Sequence, residues 1–152
     1  MTTFSVETID RQPAAVVRAE VPMEELRAVF DRGFGEVMRV TQAQGVAIAG
    51  PPFGFYPRMP TDTVAVVVGF PVSAPITPDG DVTAFELPGG RAVTGIHIGP
   101  YDSLPATYRE LTEWAAQESH PLADHMWESY LTDPQAEPDP ATWQTKITWP
   151  LA

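Results

Sequence analysis

Cysteine is absent from this 152-residue chain. That removes disulfides, thiol nucleophiles and cysteine-ligated zinc together, and it points to a reducing, cytoplasmic setting. Long apolar runs are missing as well. The longest, Val64 to Phe70, is strand-sized, well short of the roughly 20 residues of a spanning helix. The N-terminal MTTFSVETID has no basic stretch leading into an apolar one. No signal peptide and no membrane association are therefore expected. The three histidines, His97, His120 and His125, lack the HxH or HExxH spacing of a zinc site, so no metal is expected. The glycine-rich phosphate loops and the GxSxG nucleophile elbow are missing too, and no cofactor is expected.

Basic residues are scarce. Nine Lys and Arg stand against 20 Asp and Glu, a net charge of -11. Residues 1–78 carry 8 acidic and 6 basic side chains, while residues 79–152 carry 12 and 3. An acidic surface repels phosphate backbones, so nucleic acid is not expected as a direct partner; cationic ligands are favoured.

What is present is enough for one domain, residues 1–152, with a core of its own. Its most informative feature is a repeat at about half the chain length, dividing it near 1–78 and 79–152. Both PAAVVRAEVPMEELRAVF, from Pro13, and RAVTGIHIGPYDSLPATY, from Arg91, read as strand, proline, helix start. Pro22 matches Pro100, Leu26 matches Leu104 and Phe30 matches Tyr108, each 78 residues apart. Phe70-Pro71 matches Trp149-Pro150 at 79, and Phe55-Tyr56 answers Ser129-Tyr130 at 74.

Periodicity then sets the elements. Phe4 to Ile9 and Ala14 to Val21 read as a strand and its hairpin partner. Met23, Leu26, Phe30, Phe34, Val37 and Val40 form one helical stripe ending near Gly45. Gly50 to Pro60 reads as a loop rich in Pro and Gly. Val64 to Phe70 is a β-branched run suited to a central strand. Val82 to Leu87 and Ala92 to Ile98 flank a Pro88-Gly89-Gly90 hairpin turn. Leu104, Tyr108, Leu111 and Trp114 mark a second helix. Met126 to Leu131 and Trp143 to Trp149 are strands, separated by the acidic loop TDPQAEPDP. About eight strands and two helices predict an α+β fold, an antiparallel sheet with both helices on one face.

Glu128 is the first candidate for chemistry. On a strand, Met126, Glu128 and Tyr130 share a face, while Trp127, Ser129 and Leu131 take the other. A carboxylate among apolar neighbours either neutralises or finds a partner. It then suits either cation binding or general acid–base work; the alternative is a surface Glu on an edge strand. Tyr56, Tyr101, Tyr130 and Trp143 are amphipathic and sit at loops or strand ends, where they serve a pocket. In His97-Ile98-Gly99-Pro100-Tyr101, a strand runs into a tight turn before the second helix.

HIGPYDSLPATYRELTEW, WESYLTDP, WQTKITWPL and PPFGFYPRMPTDTVAVVVGFPV together resemble the GyrI-like domain, the effector-binding module also found in multidrug-sensing regulators. The resemblance implies a tandem of two βαββ-type modules about a pseudo-twofold axis. It also implies a pocket between them, lined by aromatics with a buried glutamate. Glu128 matches that glutamate. Tyr56, Tyr101 and Tyr130 match ligand-facing aromatics, with Trp143, Phe55, Trp127 and His97 as further contacts. No DNA-binding helix pair precedes Phe4, so a standalone form, monomeric or weakly dimeric, is expected.

The leading expectation is binding of a lipophilic, cationic small molecule, for sequestration or sensing. The alternative is a hydrolase of reactive cyclopropanoid compounds, with Glu128 as general base assisted by Tyr56 or Tyr130. A third reading is an inhibitor-like partner of gyrase, with TDPQAEPDP as its acidic contact.

Overall fold

A computed structural model describes residues 2–133 and 136–152. Its elements in order are β1 Phe4–Ile9, β2 Gln12–Val21, α1 Leu26–Gln44, β3 Phe53–Tyr56, β4 Val64–Pro71 and β5 Val82–Leu87. They continue with β6 Gly90–Ile98, α2 Leu104–Gln117, β7 Met126–Tyr130 and β8 Gln144–Pro150. All eight strands join one antiparallel sheet in the order β1-β6-β8-β7-β3-β4-β2-β5. The TDPQAEPDP segment links β7 to β8; its residues 134 and 135 lie outside the described ones.

Exchanging the first four strands for the last four reverses this order and leaves it unchanged. The register obeys the same pseudo-twofold. A shift of 78 residues carries the Phe4–Gly95 pair of β1 and β6 onto Val82–Val17 of β5 and β2. Shifts of 78 and 79 carry Ala14–Pro71 onto Ala92–Pro150. Shifts of 74 and 79 carry Phe53–Gly69 onto Trp127–Thr148. The three offsets found in the sequence are thus the symmetry operations of the sheet.

Two expected hairpins do not form. β1 pairs with β6 and β2 with β5, so each half lends its first strand to the other. Alternation fixes which face a side chain takes, but not which strand lies alongside. Only Asp10 and Arg11 separate edge strand β1 from β2, which lies next to the opposite edge. The two edges must therefore meet at this corner, and the sheet curls. Pro88-Gly89 makes the matching crossover instead of a hairpin turn. A Cβ at Gly89 would lie 2.9 Å from the Arg11 amide nitrogen and 3.1 Å from the Ile9 carbonyl oxygen. Only glycine permits two backbones that close.

A third difference is β3, which lies inside the expected Gly50–Pro60 loop. Four residues flanked by prolines give too short a pattern to announce a strand. It forms because β4 and β7 flank it on both sides. β4 itself is central and buried almost throughout, as its β-branched run requires.

Both helices cover one face. α1 buries Val29, Gly33, Val37 and Val40, and α2 buries Leu104, Thr107, Leu111 and Ala115. The absence of a side chain at Gly33 lets α1 approach the sheet; a Cβ there would sit 3.1 Å from Val68 Cγ1. α1 ends at Gly45 in the left-handed region (φ 68°), which suits glycine. Met23, expected on the helix stripe, is exposed in a 3-10 turn ahead of α1. The other face of the sheet buries its own apolar cluster, Ala14, Val16, Phe53, Phe55, Val67, Leu87 and Trp127. Ile9 from one edge strand and Phe85 from the other pack against it, which the curl makes possible.

Candidate functional site

The pseudo-twofold axis passes between β3 and β7. There the 74-residue shift relates Gly54 to Glu128, and these two residues face each other directly across the strand pair. Two carboxylates placed there would repel each other at close range. The chain has one carboxylate and one glycine. The space beside Gly54 is taken by Phe30 of α1, whose ring atoms would lie 2.7 Å from a Cβ at that position. Its counterpart on α2, Tyr108, instead directs a hydroxyl at Glu128.

Glu128 is buried, with 7% of its surface exposed. Tyr108 donates a hydrogen bond to Oε2, and Tyr130 donates one of 2.8 Å to Oε1. Glu128 thus accepts from a phenol on each side, Tyr130 from its own strand and Tyr108 from the helix. Tyr56 lies beside them, close enough for Glu128 and Tyr130 to act on its phenol. Among the described residues no Lys or Arg forms an ion pair with Glu128.

Desolvation pushes the Glu128 carboxyl above the usual carboxylate range. The hydrogen bonds from Tyr108 and Tyr130, and the nearby His97, oppose that shift without cancelling it. The phenols of Tyr56, Tyr108 and Tyr130 are pushed well up, by burial first and by the Glu128 charge second. All three therefore stay protonated as donors.

The raised carboxyl has a stability consequence. The folded state favours the protonated form, so the contribution is fully present below the unfolded pKa of about 4.3 and is lost as pH rises through the folded value. Glu128→Gln, which cannot ionise, is expected to melt close to the parent at pH 5 and above it at pH 8. The gap grows by up to about 1.4 kcal/mol for each unit of displacement. Thermal melts at the two pH values check this; a gap independent of pH would refute it.

Aromatic rings enclose this cluster of phenols. Phe30 and Phe34 meet Tyr130 edge-on, with ring centres 5.8 and 6.5 Å away. Tyr101 lies 5.9 Å from Tyr130 and 5.1 Å from Trp143. Trp143 is anchored by an Nε1 hydrogen bond of 2.8 Å to the Glu137 carbonyl. Tyr101 is the outermost of the expected contact residues, 37% exposed. The structure thus brings Glu128, Tyr56, Tyr101, Tyr130 and Trp143 together.

Phe55 and Trp127 are not with them. Strand alternation turns both to the other face, where they stack on each other at 5.8 Å and pack with Phe85. His97 shares the face of Glu128, but both of its ring nitrogens have partners. Nδ1 lies 2.6 Å from Thr107 Oγ1, and Nε2 lies 3.0 Å from the Pro100 carbonyl and 3.1 Å from Ser103 Oγ. These contacts bind the end of β6 to the start of α2. His97 holds that junction and so positions Tyr101.

Periodicity places Tyr108, Phe30 and Phe34 on the helix stripes alone. The available signal was a difference between repeats. Tyr108 stands where the first half has Phe30, so the second helix carries a hydroxyl that the stripe itself does not need.

Two shallow surface depressions lie elsewhere, one lined by Thr112, Ala115, Ser119 and Leu122, the other by Arg18, Glu20, Pro57 and Val66. Neither includes Glu128, and neither gathers the convergent polar groups of the tyrosine cluster.

A pseudo-symmetric antiparallel sheet, helices on one face and a buried carboxyl at the axis define a two-module α+β fold. The profile of the GyrI-like small molecule binding domain matches residues 2–152, and the chain belongs to that family. No curated protein matches it in sequence. The chain superposes on the EcmrR C-terminal domain with a TM-score of 0.86 at 24% identity, covering 100% of this chain and 98% of that one. In a cryo-EM structure of an EcmrR–DNA complex it spans 57% of the EcmrR chain's length, covering 99% of this chain, at a TM-score of 0.84 and 24% identity. SAV2435 bound to tetraphenylphosphonium is also similar, with a TM-score of 0.69 at 8% identity and coverage of 99% and 94%. So is a hydrolase encoded by lin2189 from Listeria innocua, at 0.66 and 12%, with coverage of 98% and 91%. These likenesses establish the fold. No helix among the described residues is long and apolar enough to cross a membrane.

Proposed function

We propose that this domain binds a lipophilic organic cation between its two halves, to sequester or sense it. Glu128 supplies the countercharge, and Tyr56, Tyr101, Tyr130 and Trp143 supply the contact surfaces. The observation that carries this reading is a buried carboxyl whose hydrogen bonds come from tyrosine hydroxyls, without a Lys or Arg ion pair among the described residues. Such a group is stable when protonated and becomes useful when a cation arrives to share its desolvated site. Aromatic faces around it favour the same class of ligand. The rings pack against one another in the closed arrangement, so a ligand must displace some of them. Tyr101, the exposed member, is the natural one to move.

Calorimetric titration with tetraphenylphosphonium tests the reading. Saturable binding at one site per chain is expected. A flat titration at high protein concentration would sink it. Tyr101→Ala is expected to weaken this binding by about 5- to 10-fold, the worth of one aromatic contact with a cation. It should leave the melting temperature within a few degrees, since the ring is partly exposed already.

A second reading is favoured by one feature, the joining of the carboxyl to phenolic donors. A carboxylate that takes a proton from water while a tyrosine gives one to a departing carbon or oxygen is a hydrolytic arrangement. The substrate would be a strained, flat electrophile such as a cyclopropanoid compound. Glu128 would be the base and Tyr56 or Tyr130 the acid. Incubation of such a compound with catalytic amounts of protein, followed by mass spectrometry, separates the readings. Gain of one water over many turnovers supports hydrolysis, and recovery of intact compound supports binding alone.

A further inference from the structure

Thr145 lies on β8 between Tyr130 of β7 and His97 of β6, on the face that carries Glu128. It is fully buried, at 0% exposure. Its Oγ1 has no hydrogen-bond partner among the described residues. A buried hydroxyl without a partner bears its full desolvation cost and calls for an explanation; Thr83 Oγ1 is the other such atom among the described residues, on the opposite face of the sheet from Glu128.

The pseudo-twofold provides an internal control. The 79-residue shift relates Thr145 to Val66 of β4, which is likewise buried, at 1%. Valine has the shape of threonine without the hydroxyl. The fold therefore accepts an apolar side chain at this place, and the Thr145 hydroxyl is not a packing requirement. The same comparison shows Glu128 against Gly54, Tyr108 against Phe30 and His97 against Ala19. The second half has added a polar group at each of these four positions. Glu128 and Tyr108 use theirs on each other, and His97 uses its ring at the start of α2. Thr145 has no such use within the described chain.

Its position suits a ligand contact. Ile147 faces Glu128 directly across the β7–β8 pair, which makes Thr145 the diagonal neighbour of Glu128. Such neighbours are about 7–8 Å apart at Cα, roughly one aromatic ring's width. Tyr101, Tyr130 and Trp143 form the adjoining chain of rings.

We propose that Thr145 Oγ1 hydrogen-bonds a neutral polar group of the bound cation. It thereby selects lipophilic cations that carry a carbonyl, ether or amine about one ring away from the charge. The proposal rests on the cation-binding reading above. Its test compares two probes on the full chain. Tetraphenylphosphonium has no hydrogen-bonding group, whereas rhodamine 6G carries a neutral ester on its pendant phenyl ring, apart from the two N–H groups that share its charge. Thr145→Val installs the residue that the fold itself uses at the related position. The variant should melt at or above the parent temperature and bind tetraphenylphosphonium within twofold of it. Its affinity for rhodamine 6G should fall by about 5- to 10-fold, and Thr145→Ser should recover most of that loss. Equal losses for both probes, or an unchanged rhodamine affinity, would overturn the role of Thr145 while leaving the cation site standing. Failure of the parent protein to bind either probe would overturn both.

Discussion

Glu128→Gln is expected to weaken tetraphenylphosphonium binding by about 30- to 100-fold, or roughly 2–3 kcal/mol. The glutamine keeps the size of the glutamate; its carbonyl oxygen still accepts from one tyrosine, and its amide donates to the other once that hydroxyl turns to accept, so the loss reads out charge more than shape. The site surrounds the carboxyl with phenols and rings, and no Lys or Arg pairs with it among the described residues. In that surround one charge has a large effect on a cation that has shed its water. The pH dependence follows from the raised carboxyl. At low pH the parent is protonated and should bind no better than the variant. As pH rises through the folded pKa, the parent's affinity climbs and then levels off, while the variant's stays flat. A permanent cation is the right probe because its own charge does not titrate. Triphenylphosphine oxide, neutral and of similar bulk, should bind parent and variant alike. Calorimetry across pH 5 to 9 checks the set. Equal affinity of the two proteins for the cation at pH 8 would remove the electrostatic role of Glu128.

The same carboxyl illustrates what was legible in the sequence. Alternation along Met126 to Tyr130 put Glu128 on one face with Tyr130 and Trp127 on the other, and the structure has this arrangement. The repeat offsets were legible as well, and they hold in the register to the residue. Strand partners were not legible. Asp10–Arg11 and Pro88–Gly89 look like hairpin turns locally, and only the sheet as a whole makes them crossovers. β3 was missed for a related reason, since its four residues gain their strand character from neighbours on both sides. Within the site, the family resemblance implies Phe55 and Trp127 as contacts, although their parity turns them away from Glu128. Tyr108 carries no signal of its own, because a helix stripe explains a Tyr as readily as a Phe. Comparing the two halves position by position separates these cases, because the fold's needs are common to both halves and the site's additions are not. Tyr108 against Phe30 and Thr145 against Val66 are the pairs where this is sharpest.

Gly54→Ala is expected to destabilise the domain by about 1–3 kcal/mol, the usual cost of overpacking a full core. The position is the symmetry counterpart of Glu128, so a side chain there is compatible with the strand itself. What excludes it is Phe30. A Cβ at Gly54 would come within 2.7 Å of Phe30 Cε1 and Cζ and 3.1 Å of the Tyr130 hydroxyl. Phe30 has little room to yield, because its ring centre lies 5.7 Å from Phe34 and 5.8 Å from Tyr130. For a chain of this size the melting temperature should fall by about 3–10 °C. Phe30→Leu removes the ring atoms that meet the new methyl, so Gly54→Ala should cost markedly less in that background. A double-mutant cycle then gives a coupling of about 1 kcal/mol or more. Additive losses would mean that the methyl is resisted by the backbone of β3 and not by Phe30. The coupling also bears on function. Phe30 occupies on α1 the place that Tyr108 occupies on α2, and it fills the half of the axis that has no carboxylate. A ring displaced by the methyl moves against Tyr130, which donates a hydrogen bond to Glu128. Gly54→Ala should therefore weaken cation binding as well as stability, and Phe30→Leu should restore both together.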